Sequence, residues 1–260
     1  MERFGSSRLR IVWACVCLLL TGLVLGGIHA STGDAGFTVR AFGFEIPAGV
    51  FNGIANLTDP MDMVRGAIIN GLYAAVPALM LLTGFSPMVD MVQEQRLRGL
   101  ALAPGLAALH GLFFSQTLIL PLWALSFRLM GSFFPGPVVL ADLNAVVLGL
   151  QLLLWSLVLC LLIKSNRGIA LVLALGLKVL GGYLAWGGEF LGNPDLFSVP
   201  TFLVKTMAFL GKLLPTGQVP SDPMAWTALP LSLGGPLLIA FLLLLAPGAK
   251  KSKAPRRAKG

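Results

Sequence analysis

The residue types best suited to nucleophilic or metal chemistry are few in this sequence, and they are not grouped. The two histidines, His29 and His110, form no His-x-x-x-His or Glu-x-x-His pair, the kind of spacing that places two metal ligands on one helix face. The three cysteines are Cys15, Cys17 and Cys160, and all lie inside apolar runs. This pattern predicts no disulfide framework, no metal site and no catalytic residue.

Glycine-rich phosphate loops are missing from the sequence. Neither Gly-x-x-x-x-Gly-Lys-Ser/Thr nor Gly-x-Gly-x-x-Gly occurs, and these are the loops whose backbone N–H groups cradle phosphates. If ATP is used, a partner must therefore bind it. We expect no cofactor in this chain, and an intramembrane enzyme is the weakest hypothesis because no apolar stretch carries paired acids or a Ser/His pair.

Lys178 is the most deeply placed charge in an apolar stretch. It lies about ten residues from the stretch end, where a charge is costly and a functional role is the default hypothesis. We expect it to pair with Gln151 or with an acid nearer the outside, Asp142 or Glu189. One hypothesis is a hydrogen bond between helices, and the other is a substrate path formed by Lys178, Gln151 and Asn70.

Arg128 is a second charge in an apolar stretch, but it lies within a few residues of the end. Its long side chain can therefore reach the lipid headgroups, and we expect snorkelling in preference to contact with a substrate.

A compact group of charges follows the second apolar stretch. Asp90, Glu94, Arg96 and Arg98 precede Gly99, which predicts a short charged helix, ended by Gly99, that faces water. Such a surface suits a complementary soluble partner. The alternative is an ordinary positively charged connector.

The composition indicates that these residues lie on or between membrane-spanning helices. The 260 residues are 56% hydrophobic and only 12% charged, and the mean hydropathy is +0.85, whereas about a quarter of residues are charged in soluble domains. We predict an all-α polytopic membrane protein, in one domain over residues 1–247. A helix needs about 20 apolar residues to span a bilayer, and six stretches approach this length: 11–30, 66–88, 106–130, 143–163, 169–186 and 227–247.

The distribution of charge predicts the orientation. Of the 19 Lys and Arg residues, 13 lie in segments 1–10, 89–105, 164–168 and 248–260, which the positive-inside rule assigns to the cytoplasm together with both termini. The net charge of +8 therefore reflects topology and the basic tail, 248–260. We expect that tail to be disordered and held to anionic headgroups, without binding nucleic acid. The basic start and apolar run also resemble a cleavable secretory signal, but the length of the run favours a permanent span.

The two long outer connections, 31–65 and 187–226, contain Pro, Gly and apolar residues, so we expect them to be ordered at the membrane surface. Within the second, the segment from Val199 to Pro215 begins and ends next to proline. At about 14 residues it is too short to span, which predicts a re-entrant or interfacial helix. A surface helix packed on its own bundle is the other interpretation.

The segment from Gly84 to Pro104 resembles the region after the second span in the permease subunits of type-2 ABC exporters, where a Glu- and Arg-bearing turn is followed by Gly, a leucine run and Pro. The resemblance implies that this segment is the coupling helix. Its docking residues on the ATPase would be Asp90, Glu94, Arg96, Arg98 and Gly99. The six-span layout and the short helix before the last span are similar to that family too.

From this resemblance we expect a permease subunit of an ABC exporter in a bacterial cytoplasmic (inner) membrane. Its partners would be a cytoplasmic ATP-binding subunit and a second permease, in a homodimer or a heterodimer. The alternative function is a non-transporting scaffold subunit of a secretion, motility or envelope-assembly complex. Neither the acidic outer loops nor the apolar spans identify a substrate.

Overall fold

The computed structural model describes residues 7–33, 36–46, 60–130, 136–163, 166–191, 200–216 and 228–246. They form seven helices and three strands: α1 Ser7–Gly27, β1 Ile28–Gly33, β2 Gly36–Ala41, β3 Phe44–Ile46, α2 Pro60–Gln95, α3 Leu97–Met130, α4 Gly136–Ile163, α5 Arg167–Leu191, α6 Thr201–Leu213 and α7 Ala228–Leu245. The predicted disordered tail, 248–260, lies outside the described residues. Much of the two long outer connections does too.

Five helices in the described ranges are long and apolar enough to cross a bilayer, which indicates an integral membrane protein. Their apolar parts are Arg8–Gly27, Arg65–Gln95, Leu97–Leu129, Gly136–Ile163 and Arg167–Leu184. In α7 the apolar part, Pro230–Leu245, is shorter. The prediction of a mostly helical polytopic membrane protein is confirmed to this extent.

A small antiparallel sheet departs from the all-α prediction. Its strands follow one another in the order β1-β2-β3, and the first predicted span ends at Gly27 because residues 28–30 begin β1 and pair with β2. The β2–β3 turn has two residues, Phe42 and Gly43, both with positive φ (51° and 85°), as a type I′ hairpin turn requires. Asn-Gly usually marks such a turn, and Phe-Gly does not.

Small residues let α2 and α3 pack closely. They recur every four residues along one side of α3: Gly99, Ala103, Ala107, Gly111 and Ser115, all buried. A Cβ added at Gly99 would collide with the carbonyl oxygen of Met91 and lie 2.8 Å from the Cα of Val92. We call these five residues the α3 ridge, and they allow the two helix backbones to approach as in membrane helix pairs with small residues at the interface.

α4 packs against α2 and α3 at the level of Gly111. Met80 of α2 is fully buried, and it lies against Gly111 of the α3 ridge on one side and Gly149 of α4 on the other. A Cβ at Gly111 would lie 3.0 Å from the Cα of Met80. One side chain therefore fills the junction of three helices.

α1 runs parallel to α3 and is bonded to it near both ends. The indole Nε1 of Trp13 donates to Thr117 Oγ1 at 2.7 Å, and the guanidinium of Arg128 donates to the carbonyl oxygen of Leu25. This bond gives Arg128 a partner inside the protein, and its snorkelling to the headgroups stays a prediction. Its side chain satisfies a carbonyl of the last turn of α1, one of the groups that lack a partner within a helix.

The short helix α6 forms between the two prolines, as predicted from the segment 199–215. It begins directly after Pro200 and packs between α5 and α7, antiparallel to α5. The carbonyl oxygen of Leu213 accepts a hydrogen bond from Trp155 Nε1 of α4 at 3.3 Å. Gly211, near the end of α6, is buried, whereas Phe202 near its start is 76% exposed.

We expect Gly99→Ala to destabilise the protein by about 1–3 kcal/mol, because the added methyl group meets backbone atoms of α2 that cannot move independently. The matched control is Gly105→Ala, in the same helix, where a Cβ has nothing within 4 Å and helix propensity favours alanine by up to about 1 kcal/mol. Thermal unfolding of the purified variants in one detergent measures both. Equal melting temperatures for the two variants would contradict close packing at Gly99.

Candidate functional site

The charged segment predicted as a separate short helix is instead the tip of a helical hairpin. α2 continues to Gln95 and α3 begins at Leu97, so Arg96 alone forms the turn, with φ at 49°. Its N–H donates to the carbonyl of Val92 at 2.8 Å. Gly99 does not end a helix, contrary to the prediction, because it lies in the first turn of α3 and belongs to the packing ridge.

Arg96 bonds the turn to the last helix of the chain. Its Nη2 donates to the carbonyl oxygen of Leu244 at 2.7 Å, across 148 residues of sequence. Leu244 lies in the last turn of α7, where carbonyl groups have no partner inside the helix. Left-handed backbone costs a non-glycine residue about 1–2 kcal/mol, and this bond explains why arginine suits the position.

A second contact bonds the hairpin to α5. Arg167, the first residue of α5, donates from Nη1 to Ser86 Oγ at 2.6 Å and forms an ion pair with the carboxylate of Asp90. Both charged side chains are partly exposed, Arg167 at 36% and Asp90 at 45%. In the sequence, Arg167 is only one of the basic residues that predict the orientation, because nothing in a separation of 77 residues indicates its partner.

The remaining predicted docking residues, Glu94 and Arg98, are exposed at the tip. Two leucines beside them are exposed as well, Leu97 at 42% and Leu102 at 56%. We call the exposed residues Gln93–Arg98, Ala101 and Leu102 the turn surface. Its mixture of charged and apolar side chains suits contact with another protein, since interfaces combine an apolar centre with a polar rim.

The predicted substrate-path residues do not come together. Gln151 of α4 is buried, and its Nε2 donates to Ser232 Oγ of α7 at 3.0 Å. Asn70 is exposed on α2. Lys178 is half-buried and lines a groove on α5 that includes neither of the other two. The pairing of Lys178 with Gln151 is therefore wrong, and Gln151 instead joins two helices.

Neither acid predicted as a partner of Lys178 is seen to contact it in the described part of the chain. Asp142 accepts a hydrogen bond from Gln116 Nε2 of α3 at 3.1 Å. The side chain of Glu189 lies outside the part of the chain that the structure describes. Within the described ranges, Lys178 has no hydrogen-bond or ion-pair partner.

Comparison with known proteins gives no match, whether to a protein-family model, to a curated protein or to a solved structure.

We expect Asp90 and Arg167 to be energetically coupled in a double-mutant cycle. Asp90→Asn and Arg167→Gln should each lower the free energy of unfolding, and the double variant should lose less than the sum of the two. Because both groups are partly exposed, the coupling should be about 1 kcal/mol or less and should shrink in high salt. Strictly additive effects, measured by unfolding in detergent at two salt concentrations, would show that the pair does not hold α5 to the hairpin.

Proposed function

We propose that this protein is the membrane-spanning permease subunit of an ABC exporter, and that a separate cytoplasmic subunit binds and hydrolyses ATP while docked on the turn surface. The observation that supports this function is the position of the turn surface. It is exposed for a partner, while Arg96 within it and Asp90 beside it bond the same hairpin to α7 and α5. The sequence resemblance of segment 84–104 points to the same partner.

The helical hairpin would convert partner movement into movement of the bundle. A displacement of the tip acts on α7 through the Arg96–Leu244 bond and on α5 through the Asp90–Arg167 pair. α6 packs between these two helices and would follow them. Closure of the ATPase pair would thus shift the equilibrium between inward-open and outward-open states, because packed helices respond by moving as rigid bodies.

The proposal includes six spans with both termini in the cytoplasm, the sixth being α7. Three contacts are consistent with one shared side of the membrane for the start of α1, the turn surface, the start of α5 and the end of α7. They are the bonds of α1 with α3, of Arg96 with α7 and of Arg167 with α2. Positive charge concentrates there, as the positive-inside rule requires of the cytoplasmic side. The membrane would be the bacterial cytoplasmic membrane, and two permeases would form a homodimer or heterodimer.

α6 would be the re-entrant helix of this arrangement. It follows the end of α5 that lies away from the turn surface. Its last residue, Leu213, accepts the hydrogen bond of Trp155. Trp155 lies past the midpoint of α4, counted from the first residue of that helix, Gly136. Backbone at such depth is stable because it is surrounded by protein and accepts a hydrogen bond there.

Cysteine labelling tests the sidedness. On a background without Cys15, Cys17 and Cys160, an impermeant maleimide added to intact cells should label single cysteines at positions 55 and 195 and should not label those at 95 and 252. The reason is the excess of basic residues in the segments assigned to the cytoplasm. Labelling of position 95 from outside would contradict the orientation and the docking role of the turn surface together.

Charge exchange at the tip tests the partner. We expect tagged protein purified from its native membranes to carry vanadate-sensitive ATP hydrolysis, although this chain has no phosphate-binding loop. The double variant Glu94→Lys with Arg98→Glu should lose most of that activity, because it reverses both exposed charges without removing Arg96 or Asp90.

The matched control is Arg40→Glu with Glu45→Arg, which exchanges an exposed ion pair in the sheet and leaves the net charge unchanged. It should retain the ATP hydrolysis. Absence of hydrolysis from the native preparation would favour the scaffold function. Equal hydrolysis in both double variants would exclude the turn surface as the docking site.

A further inference from the structure

The small sheet begins at the end of α1, and its second turn returns to the same place. β1 starts at Ile28, directly after Gly27, the last residue of α1. In the β2–β3 turn, the backbone N–H of Phe42 donates to the carbonyl oxygen of Gly27 at 2.6 Å. The ring of Phe42 lies over the same residue, since a Cβ added at Gly27 would collide with it. The β2–β3 turn therefore lies at the depth at which α1 ends.

The length of α1 indicates what that depth is. Its apolar part, Arg8–Gly27, has 20 residues, which rise about 30 Å along the helix axis. A bilayer has a hydrocarbon core of the same thickness, about 30 Å. Near this end α1 exposes Leu19 (64%) and Leu23 (48%), side chains of the kind that a spanning helix presents to lipid. Gly27 therefore lies at the boundary between hydrocarbon and headgroups, with lipid beside it.

The sheet has one apolar face, which ends in an exposed ring. The strand register places five residues on this face: Ile28, Ala30, Val39, Ala41 and Phe44. Val39 is buried, whereas Phe44 is 79% exposed. Phe44 pairs with Ala41, which pairs with Ile28, so it belongs to the row that directly follows α1. Phe42 in the adjoining turn is 60% exposed. Two exposed phenylalanines thus lie beside the end of α1.

We propose that Phe42 and Phe44 bind the lipid bilayer and form an aromatic anchor at the boundary between hydrocarbon and headgroups. Phe44 lies at most about 7 Å along the chain from Phe42, and apolar side chains of interfacial segments enter the bilayer by about 5–10 Å. Both rings can therefore leave water. The anchor would hold the sheet against the membrane surface. It goes beyond the proposed function and requires only that α1 spans the bilayer.

The polar groups near the turn favour lipid over a soluble protein partner. Arg40 and Glu45 flank the turn and pair with each other at 3.2 Å, which leaves the described turn without net charge to attract a charged protein. The hydroxyl groups of Ser31 and Thr38, farther from α1, bond to each other at 2.9 Å. The surface that the turn offers is therefore the apolar surface of its two rings, which a bilayer covers without a further partner.

Power-saturation EPR measures whether position 44 lies in lipid. A single nitroxide is placed there on a background without Cys15, Cys17 and Cys160, in nanodiscs of phosphatidylcholine. Its collision rate with oxygen, which concentrates in hydrocarbon, is compared with that of a water-soluble nickel chelate. Labels at Leu19 and at Ser31, exposed on the polar face, are the lipid and water references. We expect the oxygen-to-nickel ratio at 44 to approach that at 19 and to exceed that at 31.

Two other results are possible, and each would overturn the anchor. A ratio at position 44 equal to that at 31 would place the ring in water. Low collision rates with both reagents, accompanied by dipolar broadening, would show that a second copy of this chain covers the turn. Low rates without broadening would show that another part of a protein covers it.

Two substitutions of Phe44 separate lipid binding from support of the sheet. Threonine is favoured in strands but is polar, whereas leucine keeps an apolar side chain. We expect amide hydrogen exchange in the β2–β3 turn to be about tenfold faster in Phe44→Thr, in nanodiscs, and close to the native rate in Phe44→Leu. Tenfold corresponds to about 1.4 kcal/mol, less than full burial of a phenylalanine side chain contributes.

The order of the two variants decides the outcome. Faster exchange in Phe44→Leu than in Phe44→Thr would show that the ring supports the strand, and equal rates in the two would show that its apolar surface does not matter. Either result would overturn the anchor. The proposed exporter function would still stand, because ATP hydrolysis by the purified complex is a separate measurement that does not involve the sheet.

Discussion

Close approach of α2 and α3 is the constraint on which the rest of the structure depends. The α3 ridge removes side-chain volume at five successive turns, so the two backbones stay close down to the tip, where Gly99 meets Met91 and Val92. Helices this close need only one residue to reverse direction, and Arg96 supplies it in left-handed backbone. The geometry then lets Arg96 and Asp90, both still partly exposed, reach neighbouring helices.

The bonds at the tip are individually weak, and they matter because of the helices that they join to the hairpin. A partly exposed ion pair contributes about 0–1 kcal/mol, and one hydrogen bond to a charged group about 1.5–3 kcal/mol. Together they join the hairpin to α5 and α7, whose other contacts enclose α6. A partner that moved the tip would therefore act on the helices farthest along the chain, while the α3 ridge packs α2 closely against α3.

Several parts of this arrangement follow from the sequence and others do not. Apolar length predicts the long helices, and the flanking prolines predict α6. The small residues of the α3 ridge recur every four positions in the sequence, but such residues are common in membrane helices. The contacts of Gly99 with Met91 and of Gly111 with Met80 give them a role. Arg167 and Arg128 find partners more than 70 residues away, which no local pattern encodes. The sheet was not predicted, because Phe-Gly is an unusual pair for a type I′ turn.

The proposed mechanism depends on the bond that holds the tip of the hairpin to the end of α7. Nitroxides at Gln95 and Ala246, both exposed beside the Arg96–Leu244 bond, report this directly through their dipolar EPR coupling in nanodiscs. We expect a narrow distribution of short distances in the native protein, and a broader one in Arg96→Gln, which loses the guanidinium. A broad distribution in the native protein, or the same narrow distribution in Arg96→Gln, would contradict it.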